Sequence, residues 1–594
     1  MSDQEWQVDE SKAWFKKWWP DEVPKNMEFE PLSLGEFFER QRKKYGDKNM
    51  MWFLETFMTY NGAGMYIDSL ATALDDLGLK KGDCVGLLLP NSFQYVISFY
   101  ACARIGVIPT GINPTYKPLE ILHHIEITNA KALIILDALY EELVKPIISK
   151  TNVEFIISTN LVDLASGLSG FIKFLGKLIG KIPKGKVDFE RTYDFLELLK
   201  TPAKLPYIGF DPKEHTATYI MTGGTTGVPK ATNLTHFNVV SNALQCVAWL
   251  GGETPGFADL GVLPLFHSFG MTAVMNACIG LGGWMMLFPV PPETEELVKT
   301  IEKLPAPEGV AYVGAEILFK RLAEFTDLDE YDIMGKIKKC ISGAGPLHAP
   351  VQEKFQKNTG GKIVEGYGLS EASPVVSSGS LFGDSPLGNI GMPIPGTDWG
   401  IFQTDAEDLS DEPIADGLPG SKYGEENTGE ICVWGPQVMK EYLNKPEETN
   451  ATLQAWDGRI WLRTGDIGFM REDGLITILD RKKQLIKMAG HSVFPKEVEE
   501  MLMKNEAVNE AAVAGLPDPE GKVGEIIKAW VALEPDYVGK ITEQELKAWA
   551  EKNVTKWKVP TLIEFIPEVP KSVLGKVERR ALQEADPLYK EKKK

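Results

Sequence analysis

Between residues 34 and 162 the chain alternates between two patterns of hydrophobic and polar positions. In one pattern apolar residues recur every three to four positions, which is the spacing of a helix with one buried face; in the other, short runs are almost wholly apolar, as in buried strands. Helices are predicted at 34–45, 69–77, 95–105 and 118–127, and strands at 84–89, 132–136 and 155–157. This alternation predicts βα units wound around a largely parallel sheet.

The pattern changes to β-structure after residue 428. Strands are predicted at 429–434 and 461–462, and the turn Glu472-Asp473-Gly474 predicts a hairpin between 469–470 and 475–479. The last strand ends in a charged run at 480–483, and about a hundred residues follow, a size typical of a small domain. The predicted fold class is therefore α/β, with a large N-terminal domain at 1–480, made of βα-wound sheets and a β-rich subdomain, and a small α+β C-terminal domain at 481–594.

Segment 271–290 carries no charge and is about as long as a membrane-spanning helix. It is interrupted by Asn276 and by glycines at 280, 282 and 283, and Pro289 lies at its end. We interpret it as a buried helix, a glycine turn and a buried strand at 284–288.

Segment 161–186 combines apolar residues at helical spacing with lysines on another face. It is a basic amphipathic helix in an acidic protein, although glycines at 167, 170, 176 and 180 weaken it. Such a helix suits either a peripheral contact with a membrane surface or packing on its own domain with solvated lysines. The sequence leaves both interpretations open.

Composition narrows the class of protein. The 594 residues are 43% hydrophobic and carry a net charge of -20, which opposes binding to nucleic acid. The six cysteines are scattered without a C-x-x-C pair and the seven histidines show no metal-ligand spacing, so we expect reduced thiols and a cytoplasmic protein, with membrane association left open. The oligomeric state is open as well, a homodimer being one option.

A polar, glycine-rich loop follows the apolar strand that ends at Met221. Glycines let the backbone approach a ligand closely, and successive N–H groups and hydroxyls suit phosphate oxygens. The loop contains Thr222, Gly223, Gly224, Thr225, Thr226, Gly227, Val228, Pro229 and Lys230. The common P-loop needs Gly before Lys, where this chain has Pro229, so that motif is excluded. A tight surface loop without a ligand is the alternative interpretation.

The loop sequence Thr-Gly-Gly-Thr-Thr-Gly-Val-Pro-Lys resembles the phosphate loop of the adenylate-forming ligases, which include acyl-CoA synthetases, luciferases and adenylation domains of peptide synthetases. Further motifs at 365–371, 464–466, 480–487 and 570–580 follow in the family's order. The resemblance covers residues 34–580 and points to the fatty-acyl-CoA synthetase branch. The family usually has Ser at the position of Gly223, so one hydroxyl is missing from this loop, and Gly at the position of Ala231.

The resemblance implies a binding site for ATP and Mg²⁺. The residues implied at the purine are Gly343, Ala344, Glu365, Gly366, Tyr367 and Ser370. Those implied at the ribose and phosphates are Asp466, Arg481, Lys483, Lys487, Lys230 and the loop from Thr222 to Thr226, with Glu371 and Thr222 at the metal. Alone, each motif has a simpler interpretation, such as a turn, a solvated charged run, or a buried salt bridge between Asp466 and Arg481.

The implied reaction has two halves. A carboxylate attacks the α-phosphate of ATP, pyrophosphate leaves, and the thiol of coenzyme A then attacks the acyl-adenylate. The implied catalytic residues are Lys576, Glu371, Lys230 and Thr222, with Lys576 neutralising charge where the acid meets the phosphate. In the family the small domain is mobile and rotates between the two halves about a hinge, here near 480–487.

The resemblance also bears on the acid. Amino-acid-activating relatives have Asp where this chain has His267, and acetate-type relatives have Trp where it has Gly368, so an open, uncharged tunnel is implied. The implied lining is His267, Gly270, Met271, Tyr312, Gly314, Gly343 and Gly368, although plain core packing is the alternative for several of these. We favour a medium- or long-chain fatty acid over an aryl acid. A luciferase-like oxygenase and a non-catalytic sensor of AMP or acyl groups are further possibilities.

Overall fold

The computed structural model describes residues 6–178, 182–222, 229–404, 408–409, 411–488, 491–519, 525–553, 555–572 and 575–592. These residues form a mixed α/β fold, with two large sheets and a β-rich subdomain in the N-terminal part and a small α+β unit at the C-terminal end. The fold class expected from the sequence is confirmed.

The first large sheet brings the carboxyl ends of parallel strands to one edge. Its strands, in spatial order, are Met392–Pro393, Val375–Ser378, Lys362–Gly368, Ile337–Ser342, Val310–Gly314, Ala258–Gly261, Trp284–Leu287, Asn49–Phe53 and Thr56–Thr59. The strands from Val310–Gly314 to Lys362–Gly368 run parallel, with Gly314 opposite Ser342 and Ser342 opposite Glu365. Ligands of open α/β sheets bind outside the carboxyl ends of such strands, so a site is expected at this edge.

The second large sheet carries the ends of the glycine-rich loop. Its strands, in spatial order, are Glu441–Tyr442, Lys230–Thr235, Thr216–Thr222, Ile108–Gly111, Cys84–Leu88, Ala130–Leu136, Phe155–Thr159 and Thr192–Asp194. Thr216–Thr222 and Lys230–Thr235 pair antiparallel, with Thr222 opposite Lys230. The predicted phosphate-binding residues Gly223, Gly224, Thr225 and Thr226 lie outside the described residues.

The remaining strands form the β-rich subdomain and the C-terminal unit. The subdomain contains Asp398–Phe402, Gly429–Trp434, Leu453–Trp456, Arg459–Met470 and Ile476–Arg481, paired antiparallel. The C-terminal unit contains Ile486–Met488, His491–Val493, Val508–Pro517, Glu525–Leu533 and Leu562–Phe565. The strand predicted at 429–434 and the hairpin around 472–474 are confirmed.

Helices connect most of these strands. Their bounds are Trp14–Lys17, Leu34–Tyr45, Tyr60–Asp76, Phe93–Arg104, Pro118–Thr128, Asp137–Leu139, Gly170–Leu178, Phe195–Leu198, His236–Trp249, Ala277–Leu281, Thr294–Lys303, Glu316–Glu324, Ala349–Thr359, Pro446–Thr452, Pro495–Leu502, Glu543–Asn553, Arg579–Ala585 and Pro587–Lys592. The helix predicted at 69–77 starts much earlier, at Tyr60, because the side chain of Thr59 accepts a hydrogen bond from the backbone N–H of Gly62 and caps it.

The uncharged segment 271–290 is folded as expected. A π-helical turn at Gly270–Asn276 continues into Ala277–Leu281, Gly282 follows with φ of +70°, and the strand Trp284–Leu287 completes the unit. None of the helices in the described ranges has both the length and the apolar character that a membrane span requires.

Segment 161–186 is only partly helical, and the predicted continuous helix is wrong. The described helix is Gly170–Leu178, and it is preceded by turns in which Val162 and Ala165 are buried. Glycine disfavours helix, and the N–H of Gly167 instead donates to the side chain of Thr56 over 2.8 Å. On the helix, Phe171 is 72% exposed and Ile172 52% exposed, so these two side chains do not pack on the domain.

Candidate active site

One cavity of about 1380 Å³ lies between the sheet edge of the large part and the C-terminal unit. It brings together most of the residues that the motifs single out. Those lining it are Thr222, His267, Gly343, Ala344, Glu365, Gly366, Tyr367, Gly368, Ser370, Glu371, Asp466, Arg481, Lys483 and Lys576. Lys230 lies opposite the lining residue Thr222 on the neighbouring strand. Lys487 is not among the described lining residues, but its backbone N–H bonds over 2.8 Å to Glu525, which lines the cavity.

Asp466 is the centre of a buried polar group at one end of the cavity. One of its oxygens accepts a hydrogen bond from the Tyr367 hydroxyl over 2.5 Å, and the other lies 2.9 Å from Arg481 Nε. Asp466 and Arg481 face each other on antiparallel strands. The neighbouring carboxylate of Asp466 raises the pKa of Arg481, and burial raises the pKa of Tyr367. The Asp466 carboxylate is therefore held in place between the Tyr367 hydroxyl and Arg481.

A second buried carboxylate, Glu430, fixes a β-bulge at Gly465, inside the strand Arg459–Met470. Glu430 accepts hydrogen bonds from the backbone N–H of Gly465 over 3.1 Å and from Arg463 over 2.6 Å. Gly465 has φ of +73°, a conformation that glycine adopts without strain. The Thr-Gly-Asp motif is thus held rigidly within the strand by Glu430. Sequence reasoning missed Glu430, which lies 35 residues from Gly465 in the chain.

Glu371 lies opposite this group, next to the ends of the glycine-rich loop. Its side chain accepts a hydrogen bond from the Tyr442 hydroxyl over 2.7 Å, and Lys230 Nζ lies 4.6 Å from the centre of the Tyr442 ring. Burial lowers the pKa of Lys230, and the charge of Lys483 lowers it further. Tyr442 therefore holds the carboxylate and one cation together, although no motif pointed to it.

Replacing Tyr442 with Phe is expected to reduce the rate of nucleotide-dependent turnover about 10-fold, because Glu371 loses one orienting hydrogen bond. The ring under Lys230 is retained, so the change isolates the hydroxyl. Steady-state kinetics with varied Mg²⁺ will test this, since the Mg²⁺ requirement should rise. Tyr423→Phe, outside the cavity lining, serves as the control; a Tyr442→Phe variant with unchanged Mg²⁺ dependence would rule out the positioning role.

Lys576 reaches the cavity from the C-terminal unit. The Ser572 N–H donates to the Lys576 carbonyl over 2.8 Å, and Gly575 has φ of +76°. A Cβ on Gly575 would lie 3.6 Å from Ile317 of the large part, so Gly575 lies close to the helix Glu316–Glu324. Burial and the charge of Arg481 lower the pKa of Lys576, while Asp466 and Glu371 oppose this.

His267 stands near Lys576 and is uncharged at neutral pH. Burial lowers its pKa to about 4, and the positive charge of Lys576 adds to this. Its Nδ1 accepts a hydrogen bond from the backbone N–H of Phe269 over 3.2 Å. The cavity wall is therefore a neutral imidazole at this position. A charged group here would have to be desolvated when an apolar ligand bound next to it, at a cost in free energy.

The cavity wall also includes a set of uncharged side chains, and we refer to the part that they line as the uncharged extension. Its lining side chains are Cys246, Trp249, Leu250, Phe266, Phe269, Ala273, Val313, Ile341, Val375, Ser377, Ser378, Ile390 and Ile394. The polar members are satisfied within the protein: the Ser377 hydroxyl, for example, donates to the carbonyl of Ile390 over 2.6 Å. An apolar wall without unpaired charge suits a hydrocarbon.

Four predicted lining residues, Gly270, Met271, Tyr312 and Gly314, are not among the described residues that line this cavity. Side chains alternate along a strand, so Val313 faces the cavity while Tyr312 points away and packs on Phe319 at 4.7 Å. Met271 is fully buried in the core instead. The prediction from the sequence that these four residues line the cavity is therefore corrected.

Two glycines in the lining are required by close contacts. A Cβ on Gly368 would lie 2.2 Å from the carbonyl oxygen of Pro374, and one on Gly343 would lie 2.7 Å from the Phe269 ring. Next to Gly343, Ala344 has φ of +68°, a left-handed conformation that is unusual for a residue with a side chain and common at ligand sites.

Comparisons with known proteins agree with this arrangement. A family model described as AMP-binding enzyme matches residues 38–443, and one described as AMP-binding enzyme C-terminal domain matches residues 497–576. A long-chain-fatty-acid–CoA ligase of Bacillus subtilis (strain 168) is 36% identical over 97% of this chain and 98% of its own length. Another, of Escherichia coli O157:H7, is 32% identical over 96% and 98%.

Among solved structures, a long-chain-fatty-acid-CoA ligase from Archaeoglobus fulgidus is 25% identical, with a TM-score of 0.65 over 93% of this chain and all of that one. The chain belongs to the family of AMP-binding enzymes. Its resemblance to the adenylate-forming ligases, in their fatty-acyl-CoA synthetase branch, is confirmed. Enzymes of this family use ATP and coenzyme A.

Proposed function

We propose that this protein joins a medium- or long-chain fatty acid to coenzyme A, through an acyl-adenylate made from ATP. The observation that carries the proposal is the single cavity in which Asp466, Glu371 and Lys576 meet and which continues into an uncharged extension. The names of the Bacillus subtilis and Escherichia coli relatives support a fatty acid as the substrate.

In the proposed complex the nucleotide occupies the polar part of the cavity. The purine lies against Tyr367, between Gly366 and the wall at Gly343 and Ala344, beside Glu365 and Ser370. Asp466 accepts hydrogen bonds from the two ribose hydroxyls, with Arg481 as a second contact. The phosphates lie on the loop from Thr222 to Thr226, with Lys230, Lys483 and Lys487 balancing their charge.

Mg²⁺ fits the oxygen donors next to this phosphate position. Mg²⁺ prefers one or two carboxylates together with phosphate oxygens, and Glu371 and the Thr222 hydroxyl supply hard oxygen ligands. One Glu371 oxygen accepts the hydrogen bond from Tyr442, and we assign the other to the cation. Among the described residues no group of three or more His, Cys, Asp or Glu side chains is placed to hold a metal ion. Bound there, the ion would neutralise charge on the phosphates.

The chain's own residues then direct the first half-reaction. The acid enters the uncharged extension with its carboxylate toward His267 and Lys576, and a carboxylate oxygen forms a bond to the α-phosphorus as the bond to pyrophosphate breaks. Lys576 balances the negative charge that collects where the carboxylate meets the phosphate. Closure of the C-terminal unit on the large part keeps water from the reacting atoms.

The second half-reaction requires the C-terminal unit to move. We place the boundary between a 1–480 domain and a 481–594 domain at the charged run, with the hinge at 480–487. Asp480 supports this position: its side chain accepts hydrogen bonds from the backbone N–H groups of Arg481 and Lys496 over 2.7 and 2.8 Å. Rotation there withdraws Lys576 and opens a path for the thiol of coenzyme A.

Exchange of labelled pyrophosphate into ATP tests the function, run with acids from acetate to stearate, benzoate and no acid. Exchange that depends on acids of medium or long chain is expected, followed by acyl-CoA formation on addition of coenzyme A. Exchange with benzoate alone would favour an aryl acid. Failure of every acid would favour a sensor, and oxygen uptake without acyl-CoA would favour an oxygenase.

Glu365 gives the protein a distinctive pH dependence. Burial raises its pKa to about 7, against weaker opposing contributions from the Leu347 N–H and Lys496. A raised carboxyl pKa means that the folded state binds the proton more tightly, so stability falls as pH rises from 4.5 toward 7. The wild type is expected to lose free energy of unfolding across this interval, whereas Glu365→Gln is not. Because Glu365 is only half-buried, we expect the free energy of unfolding of Glu365→Gln to rise by about 1–2 kcal/mol relative to the wild type.

Thermal unfolding of the ligand-free protein between pH 5 and 8 measures this difference. The melting temperature of Glu365→Gln should rise relative to the wild type as the pH increases. Glu353→Gln, on the exposed side of helix Ala349–Thr359, should show a constant difference. A Glu365→Gln difference that is equally flat would contradict the raised pKa.

We also propose that helix Gly170–Leu178 makes a peripheral contact with anionic lipid. Its exposed Phe171, Ile172 and Leu175 would enter the interface, and Lys173 would attract anionic headgroups despite the net charge of -20. The fraction of protein that floats with phosphatidylserine vesicles should fall for Phe171→Asp. It should stay unchanged for Leu119→Asp, since Leu119 is another exposed apolar residue but lies on a different helix. Equal flotation of both variants would dismiss the contact. The cytoplasmic location stays a prediction.

A further inference from the structure

Residues 6–30 form an aromatic segment that precedes the family match at 38–443, and we refer to it as the N-terminal strap. The strap is anchored on the β-rich subdomain by Lys12, whose buried ammonium lies 2.6 Å from Asp398. Trp14 packs edge-on against Trp399 at 5.9 Å. A buried ion pair and a buried indole make the strap a fixed part of the fold.

The strap also contacts the wall of the cavity. The rings of Trp19 and Trp249 meet edge to face, with centroids 5.4 Å apart and planes at 82°. The Trp19 ring is itself fixed, because its Nε1 donates to the Val23 carbonyl over 2.8 Å and Phe15 packs against it at 4.6 Å. Trp249 lines the cavity and is held on another side by a hydrogen bond from its Nε1 to the Gly379 carbonyl, over 3.1 Å.

Trp249 is one of the apolar side chains that line the cavity. It is the last residue of the 14-residue helix His236–Trp249, and its chain neighbours Cys246 and Leu250 line the cavity as well. Its hydrogen bond to Gly379 places the indole next to Ser378, another lining residue. The Trp249 indole is therefore part of the wall along which we expect the acyl chain to lie.

We propose that Trp19 is a specificity-determining residue, which limits the acyl chain length by holding Trp249 in the cavity wall. The proposal rests on the proposed function, because it concerns the acid that the uncharged extension accepts. Trp19 acts through Trp249, so it is a positioning residue. Without the Trp19 ring, one side of Trp249 loses its packing partner, and the indole can turn away from the cavity and leave room for a longer chain.

Trp18 offers a matched control on the same strap. It is also a half-buried tryptophan, but its Nε1 donates to Asp473 over 2.8 Å, on the hairpin of the β-rich subdomain, and it does not line the cavity. Trp18→Ala therefore removes the same side chain from the strap without touching Trp249. Any general effect of weakening the strap should appear in both variants.

The test compares kcat/KM for decanoate, palmitate and arachidate in the full-length protein. The ratio of arachidate to decanoate is expected to rise about 3- to 10-fold in Trp19→Ala, the range that loss of an aromatic edge contact allows, and to change less than about 2-fold in Trp18→Ala. Trp19→Phe keeps an aromatic edge and should keep the wild-type ratio. Trp19→Leu, which keeps an apolar side chain in place, should shift the ratio as Trp19→Ala does.

A uniform loss of activity with all three acids in Trp19→Ala and Trp19→Leu, or an equal shift in Trp18→Ala, would overturn the proposal while leaving the proposed function intact. A wild-type protein that activates none of the three acids would overturn the proposed function and this proposal with it.

Discussion

Replacing Lys576 with Ala is expected to slow acyl-adenylate formation about 10²- to 10³-fold, the range found when one group that stabilises developing negative charge is removed. Lys576 lies close enough to Asp466, Glu371 and Arg481 for their charges to affect its pKa, and its own charge lowers that of His267. We therefore propose Lys576 as the cation that the C-terminal unit brings to the reacting carboxylate. Pyrophosphate exchange with palmitate measures the loss.

The same variant should form acyl-CoA from supplied acyl-adenylate and coenzyme A at nearly the wild-type rate, because the proposed rotation withdraws Lys576 during that half-reaction. Lys558→Ala is the matched control, since Lys558 also belongs to the C-terminal unit but pairs with Glu497 and is not among the described residues that line the cavity. Equal loss of both half-reactions in Lys576→Ala would contradict the proposed domain movement.

The pH profile of the first half-reaction gives a second test of Lys576. Its pKa is lowered by burial and by Arg481, and the protonated form is the one that stabilises negative charge. The rate should therefore fall as pH rises. The fall should come at a lower pH than it would for a lysine with an ordinary pKa. Lys576→Arg should move this fall to higher pH, because guanidinium stays charged; an unmoved profile would assign the titration to another group.

Replacing Glu371 with Gln is expected to reduce the rate of adenylation at least about 10²-fold. This loss is larger than the one expected for Tyr442→Phe, because Glu371→Gln removes the charge of the proposed Mg²⁺ ligand, whereas Tyr442→Phe only removes a hydrogen bond that orients it. The amide has nearly the same shape as the carboxylate and can still accept the bond from Tyr442, which now spans 2.7 Å. The loss therefore reports the charge. Exchange rates at increasing Mg²⁺ should recover part of the activity.

Glu441→Gln is the control for Glu371→Gln, since Glu441 bonds to Asn233 over 3.0 Å on the neighbouring strand and does not line the cavity. It should keep the wild-type Mg²⁺ dependence. Activity of Glu371→Gln that is independent of Mg²⁺ concentration would contradict the metal-binding role.

Much of the fold was predictable because local patterns and tertiary packing agree. The helix at Leu34–Tyr45 has its predicted ends, since Ser33 and Glu36 form a capping box at its start. The strand Gly429–Trp434 likewise has its predicted ends, and it is buried along its whole length. The helix at Gly170–Leu178 starts later than the apolar pattern predicted, because the backbone N–H of Gly167 bonds to the side chain of Thr56 instead of joining a helix.

The candidate site was predictable where residues follow one another in a motif. Tyr367 and Glu371 share a segment, and Asp466 and Arg481 pair on adjacent strands, so the motifs located them. Tyr442 and Trp19 were missed because their partners are distant in the chain: Tyr442 lies 71 residues from Glu371, and no spacing pattern connects the two. Tyr312 was misplaced because strand alternation turns its side chain to the opposite face from Val313.

A crystal structure with a stable palmitoyl-adenylate analogue tests the central claim most directly. We expect the adenine against Tyr367, the ribose hydroxyls on Asp466, the acyl linkage beside Lys576 and His267, and the hydrocarbon chain running to Trp249. An analogue bound with its adenine away from Tyr367, or with its chain outside the uncharged extension, would contradict the proposed function.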